Sequence, residues 1–451
     1  MAATRVNVSD LIDDSRVGRF QIMLFALCAM SLIMDGFDVQ AMGYVAPEAI
    51  PELGMSGAQL GTILAAANVG VLIGSLLFTM LADKIGRRPV LIIGTFFYAI
   101  ITILTANAGS ATELLWLRFI GGVGMGSIIP NATALIGEYS PKRVRVTLIM
   151  TITVGFTAGA ALGGFVAAWL MPLFGWRSVF YFGGIIPLVV GILMIFWLPE
   201  SLQFLVVRRK LDKVARWLAR VDRNAPVGPG VEYVAAEQSK GGVPVKHLLT
   251  EGRAPVTLLY WLVNFTNLLN LYFLAGLLPT ILSQNGLSSS TSALIGGAMQ
   301  TGGTIGTFGL AWLIAKKGFT PMLTLTFATA SVAIALIGTD FVLAIVPLLT
   351  IIVFLAGWSV IGGQPGLNAL AATYYPTYMR STGIGWGLGI GRIGAIIGPF
   401  IGGQLLDLDW STRQLFLVFA LPAVVSTLVM LALHFLLRSP SAAMPLREET
   451  A

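Results

Sequence analysis

Runs of about twenty apolar residues recur twelve times along this chain, and the short segments between them hold nearly all of its charge. A helix of that length crosses the ~30 Å hydrocarbon core of a bilayer at about 1.5 Å per residue. The runs fall near 21–44, 58–80, 89–107, 112–136, 147–170 and 178–198, then near 255–280, 291–314, 321–339, 342–370, 381–404 and 412–437. Only 11% of the residues are charged, against roughly 25% in a soluble protein, so lipid is the main solvent. Fifty-two glycines in such a chain point to closely packed transmembrane helices rather than disorder. The expected fold class is an all-α membrane protein of twelve transmembrane helices.

Charge sets the orientation. Of the 28 lysines and arginines, 24 fall in segments on one side of the spans, two (Arg177 and Arg413) on the other, and two (Arg118 and Arg392) within spans. The positive-inside rule therefore predicts cytoplasmic termini and a cytoplasmic central loop. The same placement argues against nucleic acid as the target of the net charge of +7. Residues 1–19 mix aspartates with arginines, and the apolar run after them is too long for a signal-peptide core, so the first span is expected to be retained. The single cysteine, Cys28, lies in that span and reads as a small packing residue.

The halves repeat. Asp83-Lys84-Ile85-Gly86-Arg87-Arg88-Pro89 aligns with Ala315-Lys316-Lys317-Gly318-Phe319-Thr320-Pro321, and Pro141–Arg145 with Pro376–Arg380. Two parallel six-helix bundles related by a pseudo-two-fold axis are expected, with substrate bound between them near the midplane and access alternating as they rock. The predicted organisation is an N-terminal segment 1–20, a first bundle 21–200, a cytoplasmic loop 201–253, a second bundle 254–438 and a tail 439–451. Within the loop, Leu202 to Val221 reads as an amphipathic helix on the inner membrane surface, followed by a Gly/Pro-rich run over Asn224–Gly230.

Polar residues inside lipid-grade helices need a reason. Asp35 and Asp38 lie one helical turn apart in the first span, on one face beside Gly36. They are candidates for proton coupling, with a fixed structural pair as the alternative. Arg392 lies mid-span, and its planar fork suits a carboxylate; it reads as a substrate ligand or as a buried partner for an aspartate or backbone carbonyls. Arg118, at a depth similar to the acids, could hold one of them ionised or touch substrate. Asn131, Asn264, Asn267, Asn270, Tyr272, Gln364, Asn368 and Trp386, with Trp358, are candidates for shaping a cavity, each competing with ordinary helix packing. At the basic end Asp83, Arg87 and Arg88 read as a gating latch, Asp83 meeting a helix N-terminus or Arg145, and Glu138 with Lys142, Arg143 and Arg145 joins the same network. Ala315 replaces Asp83 in the second repeat, so the two latches differ. His247 and His434 read as incidental. No CxxC, HExxH, GxSxG or phosphate-loop run occurs, which leaves an ATP-driven pump or an intramembrane enzyme without support. Neither a metal nor a cofactor is expected.

Leu81-Ala82-Asp83-Lys84-Ile85-Gly86-Arg87-Arg88-Pro89 resembles the motif between spans two and three of the major facilitator superfamily, with Thr79 where that motif often carries glycine. Arg118 with the Gly121–Gly126 run, Gly155-x3-Gly159-x3-Gly163, and Leu198-Pro199-Glu200-Ser201 are similar to other motifs of the superfamily. Asp35-Gly36-Phe37-Asp38 followed by Gly43-Tyr44-Val45-Ala46-Pro47 resembles the aromatic acid/proton symporters, and Tyr375-Pro376-Thr377 with Arg380 is shared more widely. The resemblance implies the major facilitator fold and a monomer in a bacterial inner membrane. It further implies import of a benzoate-type acid such as a hydroxybenzoate or protocatechuate, with the proton as coupling ion. Competing readings are a proton-coupled carrier of another organic anion or a sugar, a drug/proton antiporter, and a non-transporting aromatic-acid sensor.

Overall fold

The computed structural model describes residues 4–221, 231–234, 245–376, 378–408 and 410–438. The tail 439–451, the Asn224–Gly230 run and Thr377 therefore lie outside the described residues. The protein is nearly all helix. A short α1 (Val8–Asp13) precedes α2 (Arg19–Leu53), α3 (Gly57–Ile85), α4 (Arg87–Thr105), α5 (Ala111–Met125), α6 (Ile128–Tyr139), α7 (Lys142–Phe174) and α8 (Arg177–Trp197). Two small helices, α9 (Leu202–Val207) and α10 (Leu211–Val221), occupy the central segment. The second half holds α11 (Ala254–Gln284), α12 (Ser289–Lys317), α13 (Phe319–Ile337), α14 (Asp340–Leu343), α15 (Val346–Tyr374), α16 (Arg380–Asp407) and α17 (Thr412–Arg438).

Each of the twelve expected spans is met by helix. Eleven are long and apolar enough to cross a membrane by length and composition. The twelfth, α12, has the length, 29 residues, but its glycines, serines and threonines dilute its hydropathy. The fourth span is broken between α5 and α6 at Gly126-Ser127, where the Ser127 hydroxyl donates to the Gly124 carbonyl (2.8 Å). The first span runs nine residues beyond the predicted end at 44, through Pro47 and Pro51. Proline is tolerated in membrane helices where neighbours satisfy the freed carbonyls.

The repeat is visible in the backbone. Gly86 joins α3 to α4 at φ +105°, and Gly318 joins α12 to α13 at φ +84°, both in the region that favours glycine. Glycine contacts repeat in the same way. A Cβ on Gly70 or Gly74 of α3 would lie 2.2 or 2.0 Å from the carbonyls of Phe119 or Val123. The matching positions on α12, Gly302 and Gly306, would meet the carbonyls of Phe354 and Trp358 at 2.2 and 2.7 Å. Gly159 of α7 approaches the Ile33 carbonyl, and Gly394 of α16 approaches the Phe265 carbonyl, again at the repeat spacing. With lipid tails as apolar as leucine, close backbone approach of this kind is what drives membrane helices together.

Packing divides the chain into two compact units that do not follow the covalent halves: residues 1–39, 69–160 and 177–240, and residues 40–68, 161–176 and 241–451. Within the second unit, the ends of α2, α3 and α7 remote from the basic loops lie against α11, α16 and α12. The Gln40 side chain donates to the Ala275 carbonyl. Gly43 also faces Ala275, Gly61 faces the Pro399 carbonyl, and Gly164 faces Gly297 and the Ala293 carbonyl. Trp176 Nε1 donates to Glu52 (2.7 Å) on the same side.

In the first unit, the central segment departs from the expected single helix. Arg209, at φ +53°, separates α9 from α10. Leu202, Leu205, Val214 and Leu218 are buried in one apolar cluster with Leu24, Tyr139 and Leu198. The apolar stripe predicted to face lipid instead packs on the bundle's own end, together with Val8 and Ile12 of α1. Strand β1 (Thr4–Asn7) pairs in parallel with β2 (Val231–Val234). Burial raises the pKa of the Tyr233 hydroxyl on β2.

The start of α4 is capped from a distance. Glu200 Oε1 accepts from the backbone amides of Arg87 (2.9 Å) and Arg88 (3.1 Å) and from that of Ser201 (2.8 Å). A carboxylate at a helix N-terminus satisfies orphan donors and complements the dipole. Glu200→Ala is expected to lower stability by about 1–3 kcal/mol, whereas Asp83→Asn, at an exposed side chain, should be nearly neutral. Thermal unfolding in detergent compares them. Gly159→Val, which drives a side chain onto the Ile33 carbonyl, should cost about 1–3 kcal/mol or prevent folding. Gly385→Ala, with nothing within 4 Å of the added carbon, should leave the unfolding temperature unchanged.

Candidate functional site

The acid pair sits on α2 where the backbone of α7 comes closest. A Cβ on Gly36 would lie 1.8 Å from the Phe156 carbonyl. Asp35 is 3% exposed and Asp38 is fully buried. Arg118, on α5 and 3% exposed, forms an ion pair with the Asp38 carboxylate. Its Nη2 also faces the Asp38 main-chain carbonyl at 3.4 Å. Thr102 of α4 donates to Asp38 Oδ1 at 2.8 Å, and the Phe180 ring of α8 lies 5.3 Å from the Arg118 guanidinium carbon. Four helices of the first unit thus close around one ion pair. Tyr98, one turn before Thr102, is fully buried within Coulombic range of both acids, and its hydroxyl has no hydrogen-bond partner among the described residues.

Removing charges from water costs several kcal/mol each, offset here by the mutual attraction and by the Thr102 hydrogen bond. Thr102, Tyr98 and Phe180 were not marked by sequence reasoning. A hydroxyl pair one turn apart in an apolar helix was the available signal.

The second unit holds an uncharged counterpart. Asn267 and Asn270 fall at the repeat positions of Asp35 and Asp38. Asn267 Nδ2 donates to the Val360 carbonyl (3.1 Å) and to Gln364 Oε1 (2.8 Å). Gln364 Nε2 donates in turn to Asn264 Oδ1 (2.8 Å), and Asn264 donates to the Tyr260 carbonyl (2.8 Å). This amide ladder joins α11 to α15. Asn368, one turn beyond Gln364, keeps a buried Oδ1 with no hydrogen-bond partner among the described residues. Asn270 faces elsewhere: oriented to satisfy its amide, it donates to the Phe419 carbonyl (2.8 Å) and accepts from the Ala423 amide (3.2 Å) of α17.

Arg392, on α16, is half-buried, and no carboxylate among the described residues lies within ion-pair distance of it. Trp386, one and a half turns earlier, is exposed and packs at 5.9 Å on Trp261 of α11. Tyr272 is half-buried on α11. Asn131, on α6 of the first unit, donates to the Ser127 carbonyl (2.7 Å) and so braces the break in the fourth span. Trp358 packs against Gly306 and Gly309 of α12. His434 meets the Thr320 hydroxyl (2.7 Å).

The basic end differs from expectation in its pairing. Asp83 is exposed and does not pair with Arg145, which joins Asp13 of α1 and donates to the Ser140 carbonyl. Arg87 pairs with Glu138, and Glu138 also accepts from the Ser201 hydroxyl at 2.8–2.9 Å. Arg88 donates to the Ile195 carbonyl at 2.5 Å. Lys142 and Arg143 are exposed and outside this set. The carboxylate that binds the helix N-terminus is Glu200, distant in sequence, rather than Asp83, the acid adjacent to the turn.

The chain matches the Major Facilitator Superfamily over residues 28–255 and 260–451. It is 36% identical to a 4-hydroxybenzoate transporter of Pseudomonas aeruginosa, covering 95% of this chain and 96% of the relative. It is also 36% identical to a gallate transporter of Pseudomonas putida (95% of each chain), and 31% identical to a benzoate transport protein of Acinetobacter baylyi (93% and 91%). Among solved structures, a D-xylose–proton symporter superposes with a TM-score of 0.72 at 17% identity, covering 91% of this chain and 97% of that one. A bacterial homolog of the human lysosomal transporter Spinster gives 0.72 at 17% identity, with coverage of 94% and 100%. These likenesses show the fold. The family match over residues 28–255 and 260–451, the transporters it resembles and the internal repeat of its helices establish that the protein is a transporter, not an enzyme, and belongs to the Major Facilitator Superfamily.

Proposed function

We propose that this protein imports an aromatic carboxylate of the benzoate or hydroxybenzoate class across a bacterial inner membrane, in symport with protons and by alternating access. The observation that carries the reading is the ion pair of Asp38 and Arg118, buried one turn from a second buried acid. It stands in a chain that is alike over nine-tenths of its length to proteins named for 4-hydroxybenzoate, gallate and benzoate transport. A benzoate-type anion entering against an inside-negative potential faces about 2.3 kcal/mol per 100 mV. One accompanying proton makes the step electroneutral, and a second lets the potential drive it. In this reading Asp35 and Asp38 carry the protons, and Arg118 is the counter-charge that each protonation of Asp38 releases.

Arg392 is the proposed ligand of the substrate carboxylate, since it is partly accessible and has no carboxylate partner among the described residues. The acceptor of Asn368 suits a ring hydroxyl, and the Trp261–Trp386 pair offers a face on which an aromatic ring stacks. Asn131, Asn267 and Asn270 hold helices together through the hydrogen bonds above and are proposed to act on substrate only through that support. The chain is proposed to work as a monomer with both termini in the cytoplasm.

In proteoliposomes under an imposed pH gradient, Asp35→Asn should lose accumulation of 4-hydroxybenzoate while retaining exchange of labelled for unlabelled substrate. Asp38→Asn should lose both. It should also lower stability by about 3–5 kcal/mol, because it leaves Arg118 buried without its partner. Wild-type accumulation in both variants would remove the acid pair from coupling. Arg392→Lys keeps the charge and loses the fork, and should weaken substrate affinity by about 10–100-fold with little change in unfolding temperature. Unchanged affinity would assign the carboxylate to another cation.

A further inference from the structure

At the basic end of the spans, a cavity of about 500 Å³ opens where the start of α4 meets α9 and α10. Its walls divide by chemistry. Arg88, Lys210, Lys213 and Arg216 supply four positive charges, against a single carboxylate, Glu200. That carboxylate is already engaged by the three backbone amides at the cap of α4. Lys210, Lys213 and Arg216 make no ion pair among the described residues. Arg88 uses one nitrogen on the Ile195 carbonyl, while its buried Nε has no acceptor among the described residues.

The remaining wall is apolar: Ile92 and Ile93 of α4, Phe204 of α9 and Trp217 of α10. Ile93 is 53% exposed and, with Ile85 beside the cavity at 42%, belongs to helices that cross the bilayer. A site with a cationic half at the end of the spans and an apolar half running into lipid-facing surface fits an amphiphile. Four cations against one carboxylate leave a net positive lining that fits a phosphate, and a volume near 500 Å³ accommodates one headgroup. Basic pockets at membrane depth hold anionic headgroups in this way, each Lys or Arg adding about 1 kcal/mol near the surface.

We propose that this cavity binds the headgroup of an anionic phospholipid, its phosphate held by Arg88, Lys213 and Arg216 and its chains lying along Ile92 and Ile93. The bound lipid would fasten α10 to the start of α4, and the cavity is independent of the substrate reading above. It also gives the basic face of α10 a role that the packing of Val214 and Leu218 leaves open.

The test uses the full-length protein purified in detergent, with native mass spectrometry of retained lipid and thermal unfolding on titration with phosphatidylglycerol or phosphatidylethanolamine. Wild type should retain phosphatidylglycerol in preference to phosphatidylethanolamine and unfold at higher temperature with it. Lys213→Glu/Arg216→Glu should lower its apparent affinity by about tenfold or more. Lys316→Glu/Lys317→Glu, the same charge change elsewhere on the chain, should leave it intact. Three outcomes would overturn the proposal: equal retention by the Lys213/Arg216 variant, equal loss in the Lys316/Lys317 variant, or equal protection by inorganic phosphate at matched ionic strength, which would make the site one for free anions. Transport of 4-hydroxybenzoate is read separately, so failure of the lipid site and failure of the substrate assignment remain distinguishable.

Discussion

A guanidinium and a carboxylate held together inside lipid-solvated helices set the terms for the first half of this molecule. Neither Asp38 nor Arg118 could be buried alone, because an isolated charge at that depth is costly and the pair is tolerated only with good geometry and extra hydrogen bonds. The geometry comes from α2, α4, α5 and α8 together: Thr102 and Phe180 complete what the ion pair leaves unsatisfied. Gly36 and Gly159 matter for the same reason. They let α2 and α7 touch through backbone, which fixes the rotation of α2 and so turns both aspartates into the unit.

The second half is built by the same packing rule without the charge. Gly302, Gly306 and Gly394 reproduce the contacts of Gly70, Gly74 and Gly159, so these helix crossings recur in the second half. At the positions of Asp35 and Asp38 it carries Asn267 and Asn270, which hydrogen-bond to neighbouring helices and do not titrate. One half therefore keeps buried acids, and the other keeps amides together with an arginine, Arg392, that lacks a carboxylate partner among the described residues. This division of polar chemistry is where two halves with matching helix contacts differ.

The spans, their number and the repeat were legible because lipid imposes them through composition: a twenty-residue apolar run has few other fates. The acid pair and both intramembrane arginines were legible for the converse reason, as expensive exceptions. What escaped was anything decided by direction or by distant partners. Asp83 looked like the latch from its place beside Gly86, yet Glu200, more than a hundred residues away, reaches the amides of Arg87 and Arg88. The stripe of Leu202, Leu205, Val214 and Leu218 showed that an amphipathic face exists, but periodicity does not say whether lipid or protein covers it; here protein does. The predicted end of α2 at 44 falls short because an apolar run of about twenty residues sets the length that crosses lipid and not where the helix stops; α2 continues through Pro47 and Pro51 to Leu53.

The division into compact units adds a constraint that neither half contains by itself. It falls on α2 between Val39 and Gln40, inside an unbroken helix. On one side of that point Asp38 is bound to Arg118; two residues on, Gln40 is bound to the Ala275 carbonyl and Gly43 lies against the same backbone. The two points are about 3 Å apart along the helix axis. The ion pair and the α2–α11 contact thus sit on one unbroken helix, two residues apart.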